Sequence, residues 1–219
     1  MVLSPRKSEV ISTGVQLNYY IALPQGYDGV TEWPLIVFLH GAGERGDDLS
    51  LVAKHGLPRR LYEGEDVPFI VVAPQCPAQM DWSYYAFPMM AFIQQIVHHY
   101  PVKTNQVYLT GLSMGGYGTW DLGRLFPSMF AAIAPICGGM PWLVEEETAA
   151  QQLKNTPVWA FHGALDTIVP VTESRRMVKA LQDVGATVKY TEYPDLEHNS
   201  WTVTYNNPDL YTWFLQQSL

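Results

Sequence analysis

Uninterrupted apolar runs alternate with helical stripes along this chain. PLIVFLH (34–40) has no polar break, the pattern of a strand buried on both faces. PFIVVAPQ (68–75), QVYLTGLS (106–113), FAAIAPICGG (130–139) and PVWAFHGALD (157–166) repeat it. VQLNYYIALP (15–24) alternates like an early half-buried strand, and TVKYTEYP (187–194) reads as the last one. Between them, FPMMAFIQQIVHHYP (87–101) carries apolar residues at helical spacing and stops at Pro101. GGYGTWDLGRLFP (115–127) and TESRRMVKALQDVG (172–185) are further helices, the latter closed by Gly185 as a C-terminal cap requires. PDLYTWFLQQSL (208–219) is a closing helix. Strands alternating with helices predict an α/β fold, a mostly parallel central sheet with helices on both faces. No repeat, linker or low-complexity tract divides the chain, so residues 1–219 read as a single domain. Ligands of such sheets sit beyond the carboxyl ends of the strands. That points to five segments: His40 to Gly43, Gln75 to Pro77, Ser113, Gly138 to Met140, and Asp166.

Composition narrows the function classes. A chain of 219 residues with 47% hydrophobic and 16% charged residues can bury a full core and is not a disordered polymer. The net charge of -8 speaks against nucleic acid or an anionic membrane as partner. No apolar run approaches the roughly 18 residues of a membrane span. The start, MVLSPRKSEVISTG, lacks the apolar stretch of a secretory signal, so the expected location is cytoplasmic. The two cysteines, Cys76 and Cys137, make no disulfide scaffold, and no spacing resembles a metal site. No metal and no cofactor is expected, and the oligomeric state is left open.

The chemistry gathers around TGLSMGGYGTW (110–120). Ser113 stands in Gly111-Leu112-Ser113-Met114-Gly115, a G-x-S-x-G pattern after a buried strand and before a helix. That context is what a nucleophile elbow needs, with glycines wherever a Cβ would clash. The alternative is a glycine-rich loop holding an idle serine. A serine hydroxyl needs a histidine base, and the histidine an orienting carboxylate. Two histidines follow Ser113. His162 lies inside an apolar strand and reads as structural; His198 lies in the loop YPDLEHNSW and can swing over the serine. Asp166 ends a buried strand and is the expected carboxylate. Asp195 and Glu197 read as solvated loop residues, and Asp183 as a helix surface residue. An oxyanion needs fixed donors. The Met114 N–H is one; the loop His40-Gly41-Ala42-Gly43 offers the other through Ala42, with Gly43 as the near alternative. His40 itself reads as a loop brace.

FLHGAGERGDD, PQCP, TGLSMGGYGTW, FHGALDTIVP and EHNSW together resemble the α/β-hydrolase superfamily. Within it they look most like small bacterial esterases labelled predicted peptidases, relatives of the phospholipase/carboxylesterase, feruloyl-esterase and polyhydroxybutyrate-depolymerase groups. The resemblance runs from about residue 15 to the end. The segment between Gly138 and Pro157 holds no long helical insert, so no large cap domain is expected. Strand order in the superfamily puts the strands before Cys76 and Cys137 three spacings apart, about 14 Å. A disulfide needs Cα atoms within about 7 Å, so both are expected as free thiols.

Aromatic residues crowd the segments after the strands. Trp82, Trp142 and Trp201 are candidate substrate walls, with ordinary packing as the equal alternative; for Tyr84, Tyr85 and Phe87 packing leads. GERGDD (43–48) reads as a solvated turn, with Glu44 and Arg45 close enough to brace the oxyanion loop. The glutamates 145–147 read as a solvated helix start. The expected activity is that of a serine carboxylesterase on small to moderate soluble esters, working through an acyl-enzyme. The same residues also suit a peptidase or a feruloyl- or polyester-type esterase. A non-catalytic binding protein on this scaffold is disfavoured by intact Ser113, Asp166 and His198.

Overall fold

The computed structural model describes residues 1–9, 16–141 and 143–219. Eight strands form one sheet: β1 (Leu3–Lys7), β2 (Asn18–Ala22), β3 (Trp33–Leu39), β4 (Ile70–Pro74), β5 (Val102–Leu112), β6 (Ala132–Ile136), β7 (Val158–Gly163) and β8 (Val188–Tyr193). Their spatial order is β1-β2-β4-β3-β5-β6-β7-β8. The pairs β1/β2 and β2/β4 are antiparallel, and the rest of the sheet is parallel. Among the described residues seven α-helices flank it: α1 (Gly56–Tyr62), α2 (Ala86–His99), α3 (Met114–Leu125), α4 (Glu146–Gln152), α5 (Thr172–Asp183), α6 (Trp201–Asn206) and α7 (Pro208–Leu215). This is the doubly covered α/β sheet that the alternation predicts. Among the described residues no helix is long and apolar enough to cross a membrane.

The uninterrupted apolar runs have a direct cause. Side chains alternate across a strand, and both faces of this sheet are covered. In β3, Leu35, Val37 and Leu39 join one core with Met89, Phe92 and Ile93 of α2 and Met177 and Leu181 of α5. Ile36 and Phe38 point the other way, into a core with Leu57 and Leu61 of α1 and Leu210 and Phe214 of α7. The Phe214 ring stacks on Tyr108 of β5 at 4.8 Å between centroids. Gly185 has φ +71°, the left-handed conformation of a residue just past a helix end.

Three elements carry little sequence signal. Strand β1, LSPRK, lies at the sheet edge, mostly exposed, where Pro5 is tolerated. Helix α1 begins at a glycine and carries Pro58 in its first turn, the position where a missing N–H costs least. Helix α6, WTVTYN, has β-branched residues and is short; burial of Thr204 and Tyr205 holds it. The closing helix ends at Leu215, short of the predicted chain end. Among the described residues, the segment before β7 holds one helix, the seven-residue α4, as expected without a cap domain. Strands β4 and β6 are separated by β3 and β5, and Cys76 and Cys137 are free, buried thiols. Burial pushes both thiols up to about 12.

Candidate active site

Ser113 sits between β5 and α3 with φ 55° and ψ -117°, a conformation that non-glycine residues rarely hold. Its N–H donates to Ile136 O at 3.0 Å, and its carbonyl accepts the Tyr117 N–H at 3.0 Å. The glycines around it are fixed by contact. A Cβ on Gly115 would strike Leu39 O, one on Gly116 would strike Ile136 O, and one on Gly118 would strike the Trp82 side chain. The helix therefore lies so close to the sheet that side chains are excluded, and the turn leading into it throws the Ser113 hydroxyl outward.

His198 follows β8 in a loop and is partly exposed. Its Nε2 lies 3.0 Å from Ser113 Oγ, and its Nδ1 lies 2.6 Å from Asp166 Oδ2. The Leu165 N–H donates to Leu196 O at 2.9 Å, tying the Asp166 loop to the His198 loop. Asp166 Oδ1 accepts the N–H groups of Ile168 and Val169, each at 2.9 Å. Burial pushes the Asp166 carboxyl up, but the His198 bond and these two N–H groups outweigh it and hold it below its ordinary value. Asp195 and Glu197 are exposed in the same loop. His162 is buried: its Nδ1 lies 2.7 Å from Ser174 Oγ and its Nε2 lies 2.9 Å from Val169 O. Its Nε2 is also 3.2 Å from Asp166 Oδ2, a contact the sequence reading does not contain.

The loop after β3 is held by side chains from three directions. His40 donates from Nδ1 to Gly41 O at 2.6 Å and accepts the Cys76 N–H on Nε2 at 2.9 Å, which fixes its tautomer. Trp82 Nε1 donates to His40 O at 2.9 Å. Gln75 Nε2 donates to Glu44 O and Asp48 O, and Arg45 Nε to Ala42 O. Glu44 is buried, which corrects the solvated-turn expectation for this stretch; Asp47 and Asp48 are exposed as expected. Ala42 and Gly43 stay exposed on the same strand edge as Ser113. The Met114 N–H opens α3, where a helix has no acceptor of its own for it.

A cleft of about 1020 Å³ opens beside Met114, bordered by Trp82, Tyr84, Tyr117, Met140 and Leu143. Arg176 at its rim bonds Glu146 and Glu173. Trp82 is fully buried, so it serves the cleft as a wall base and braces His40. Trp201 packs edge-on to the His198 ring at 5.3 Å, with His55 behind it at 5.8 Å. Trp142 lies outside the described residues. Tyr84 and Phe87 are exposed, and Tyr85 packs against the core. Met140, Tyr117 and Leu143 reach the cleft without a sequence signal beyond lying close after a strand end or the elbow. Donor atoms of Cys137, Asp166 and His198 lie within 4.8 Å of one another. Asp166 and His198 are bonded to each other there.

An eight-stranded, mostly parallel sheet with a serine on a strained strand-to-helix turn defines the class: an α/β-hydrolase. Residues 86–207, more than half of the chain, match the family model described as phospholipase/carboxylesterase. The chain belongs to that family. It is similar to a thermostable esterase of known structure, with 35% identity, a TM-score of 0.83, and coverage of 99% of this chain and 63% of that one. It therefore spans less than two thirds of that esterase. A poly(3-hydroxyoctanoate) depolymerase of Pseudomonas fluorescens is 26% identical over 198 residues, 77% of this chain and 69% of that protein. Acyl-protein thioesterase 1 of Gibberella zeae is 24% identical over 75% of this chain and 83% of its own length. Dipeptidyl-peptidase 5 relatives from Aspergillus species are matched over about a third of their length.

Proposed function

We propose that this protein is a serine carboxylesterase that hydrolyses small to moderate soluble esters through an acyl-enzyme. The observation that carries the reading is the unbroken line of bonds from Asp166 through His198 to Ser113, at 2.6 and 3.0 Å, on the carboxyl edge of the sheet. His198 takes the Ser113 proton as Oγ bonds to the ester carbonyl carbon. The negative oxygen that forms is met by the N–H groups of Met114 and Ala42, with Gly43 adjacent. His198 then gives its proton to the departing alkoxide, leaving the acyl group on Ser113. A water attacks that acyl group by the same route, its proton passing through His198, and the acid is released. Asp166 holds the imidazole and favours its charged form. The cleft beside Met114, with Trp82 in its lining, suits an apolar acyl or alcohol part, and Trp201 against the His198 ring is a further candidate wall.

The likeness to dipeptidyl-peptidases favours a second reading, a peptidase using the same residues on an amide bond. An ester and an amide of one acyl group, compared on the same enzyme, separate the two. The test of the common chemistry is Ser113→Ala. The variant is expected to stay folded, to lose labelling by a fluorophosphonate probe, and to lose about 10⁴-fold or more in ester turnover. Activity above a few percent in the folded variant would remove Ser113 from its role.

A further inference from the structure

His162 is wholly buried at the end of β7, and both ring nitrogens are engaged. On one side, Ser174 of α5 lies 2.7 Å from Nδ1, and Ser174 Oγ also lies 2.9 Å from Gly138 O, beside the elbow helix. On the other side, Nε2 faces two acceptors, Val169 O at 2.9 Å and Asp166 Oδ2 at 3.2 Å. Two acceptors on one nitrogen require that it carry the hydrogen. Burial pushes the His162 imidazole below its ordinary value, which disfavours the charged ring; Nδ1 is then the acceptor, and the single Ser174 hydrogen is shared between it and Gly138 O. The oxygen that His162 faces is the one that receives His198 Nδ1 at 2.6 Å. Asp166 thus carries donors on every side: two backbone N–H groups on Oδ1, and two imidazoles on Oδ2.

We propose that His162 is a positioning residue of the site: its Nε2–H shares Asp166 Oδ2 with His198, fixes the carboxylate plane, and sets how strongly Asp166 attracts the His198 proton. The proposal rests on the reading of Ser113, His198 and Asp166 as a triad. A second donor drains negative charge from Oδ2. Removing it leaves a more basic oxygen opposite His198, which favours the imidazolium and removes the neutral base at low pH. Among the described residues, the other titratable groups around this centre are Cys137 just after β6, Tyr117 of α3 and Glu192 of β8. Burial pushes Cys137 and Tyr117 up to about 12, and the Arg175 bond holds Glu192 below its ordinary value, so none of the three changes charge between pH 5 and 9.

The two amide replacements separate the ring's two sides. Asn reaches the Nδ1 position and keeps Ser174 while losing Asp166; Gln reaches the Nε2 position and keeps a donor toward Asp166. His162→Asn is expected to lower kcat by about tenfold at unchanged KM. It should also move the rising limb of kcat/KM against pH upward by about half a unit. His162→Gln is expected to keep the wild-type midpoint, whatever it loses in stability. A midpoint unmoved in His162→Asn, or moved equally in both variants, overturns the proposal. If neither variant folds, ¹⁵N NMR of the wild-type imidazoles decides: the buried ring must be protonated on Nε2 and bare on Nδ1, and the opposite tautomer overturns it. Failure of the parent reading is distinct, because it appears as retained activity in Ser113→Ala.

Discussion

Acidification should unfasten the oxyanion loop through His40. The ring is 1% exposed, and burial pushes it from an ordinary 6.5 down to about 4, against the opposing pull of its bond to Gly41 O. The unfolded chain therefore takes up a proton on this residue below pH 6.5, while the folded chain does so only near pH 4. Because the unfolded state binds more protons in that window, stability is full above pH 6.5 and falls as the pH drops toward 4. A shift of about 2.5 units corresponds to about 3 kcal/mol, and full burial leaves no solvent screening to discount. The local reason is visible in the bonds: Nε2 accepts the Cys76 N–H, and a protonated ring sets two donors against each other there. Urea unfolding of the wild type and of His40→Asn at pH 7.5, 6, 5 and 4 measures this. Asn keeps a donor for Gly41 O but cannot titrate, so the variant starts less stable and the gap should close by about 3 kcal/mol between pH 7.5 and 4. Curves that run parallel would show that His40 is not held neutral by burial.

Asp166→Asn is expected to cost about 10⁴-fold in kcat with the fold retained, and Asp195→Asn less than about threefold, since Asp195 is exposed and Asp166 holds His198. Equal losses in steady-state kinetics would move the carboxylate off the β7 edge. Gly115→Ala forces a Cβ into the backbone of Leu39 and His40 and should cost about 3 kcal/mol or prevent folding. Gly43→Ala meets nothing within 4 Å and should lie within about 0.5 kcal/mol of wild type in the same chemical denaturation assay.

The difference between what the chain displays and what it conceals follows the range of the interactions involved. That Ser113, Asp166 and His198 meet is legible because Ser113 and Asp166 stand just past apolar runs, His198 lies in the loop after the last strand, and a parallel sheet brings those ends to one edge. The clustered glycines are legible for a related reason: each is fixed by contact with backbone or with a rigid ring rather than by a flexible neighbour. Helices α1 and α6 are weak in sequence because tertiary burial, not propensity, selects them, and edge strand β1 because pairing with β2, not burial, holds it. Glu44 looks like part of a polar turn, GERGDD, yet the fold buries it, its Oε2 without a hydrogen-bond partner among the described residues and 3.9 Å from His40 Nδ1. His162 shows the same limit from the other side. An apolar strand with one histidine predicts a satisfied, inert ring, and the ring is indeed satisfied. Its partner is Asp166 because only Ala164 and Leu165 stand between the end of β7 and the carboxylate, so the chain folds Oδ2 back to 3.2 Å from the ring's Nε2. That spacing, His162 to Asp166, is the one signal in the sequence from which the contact could have been read.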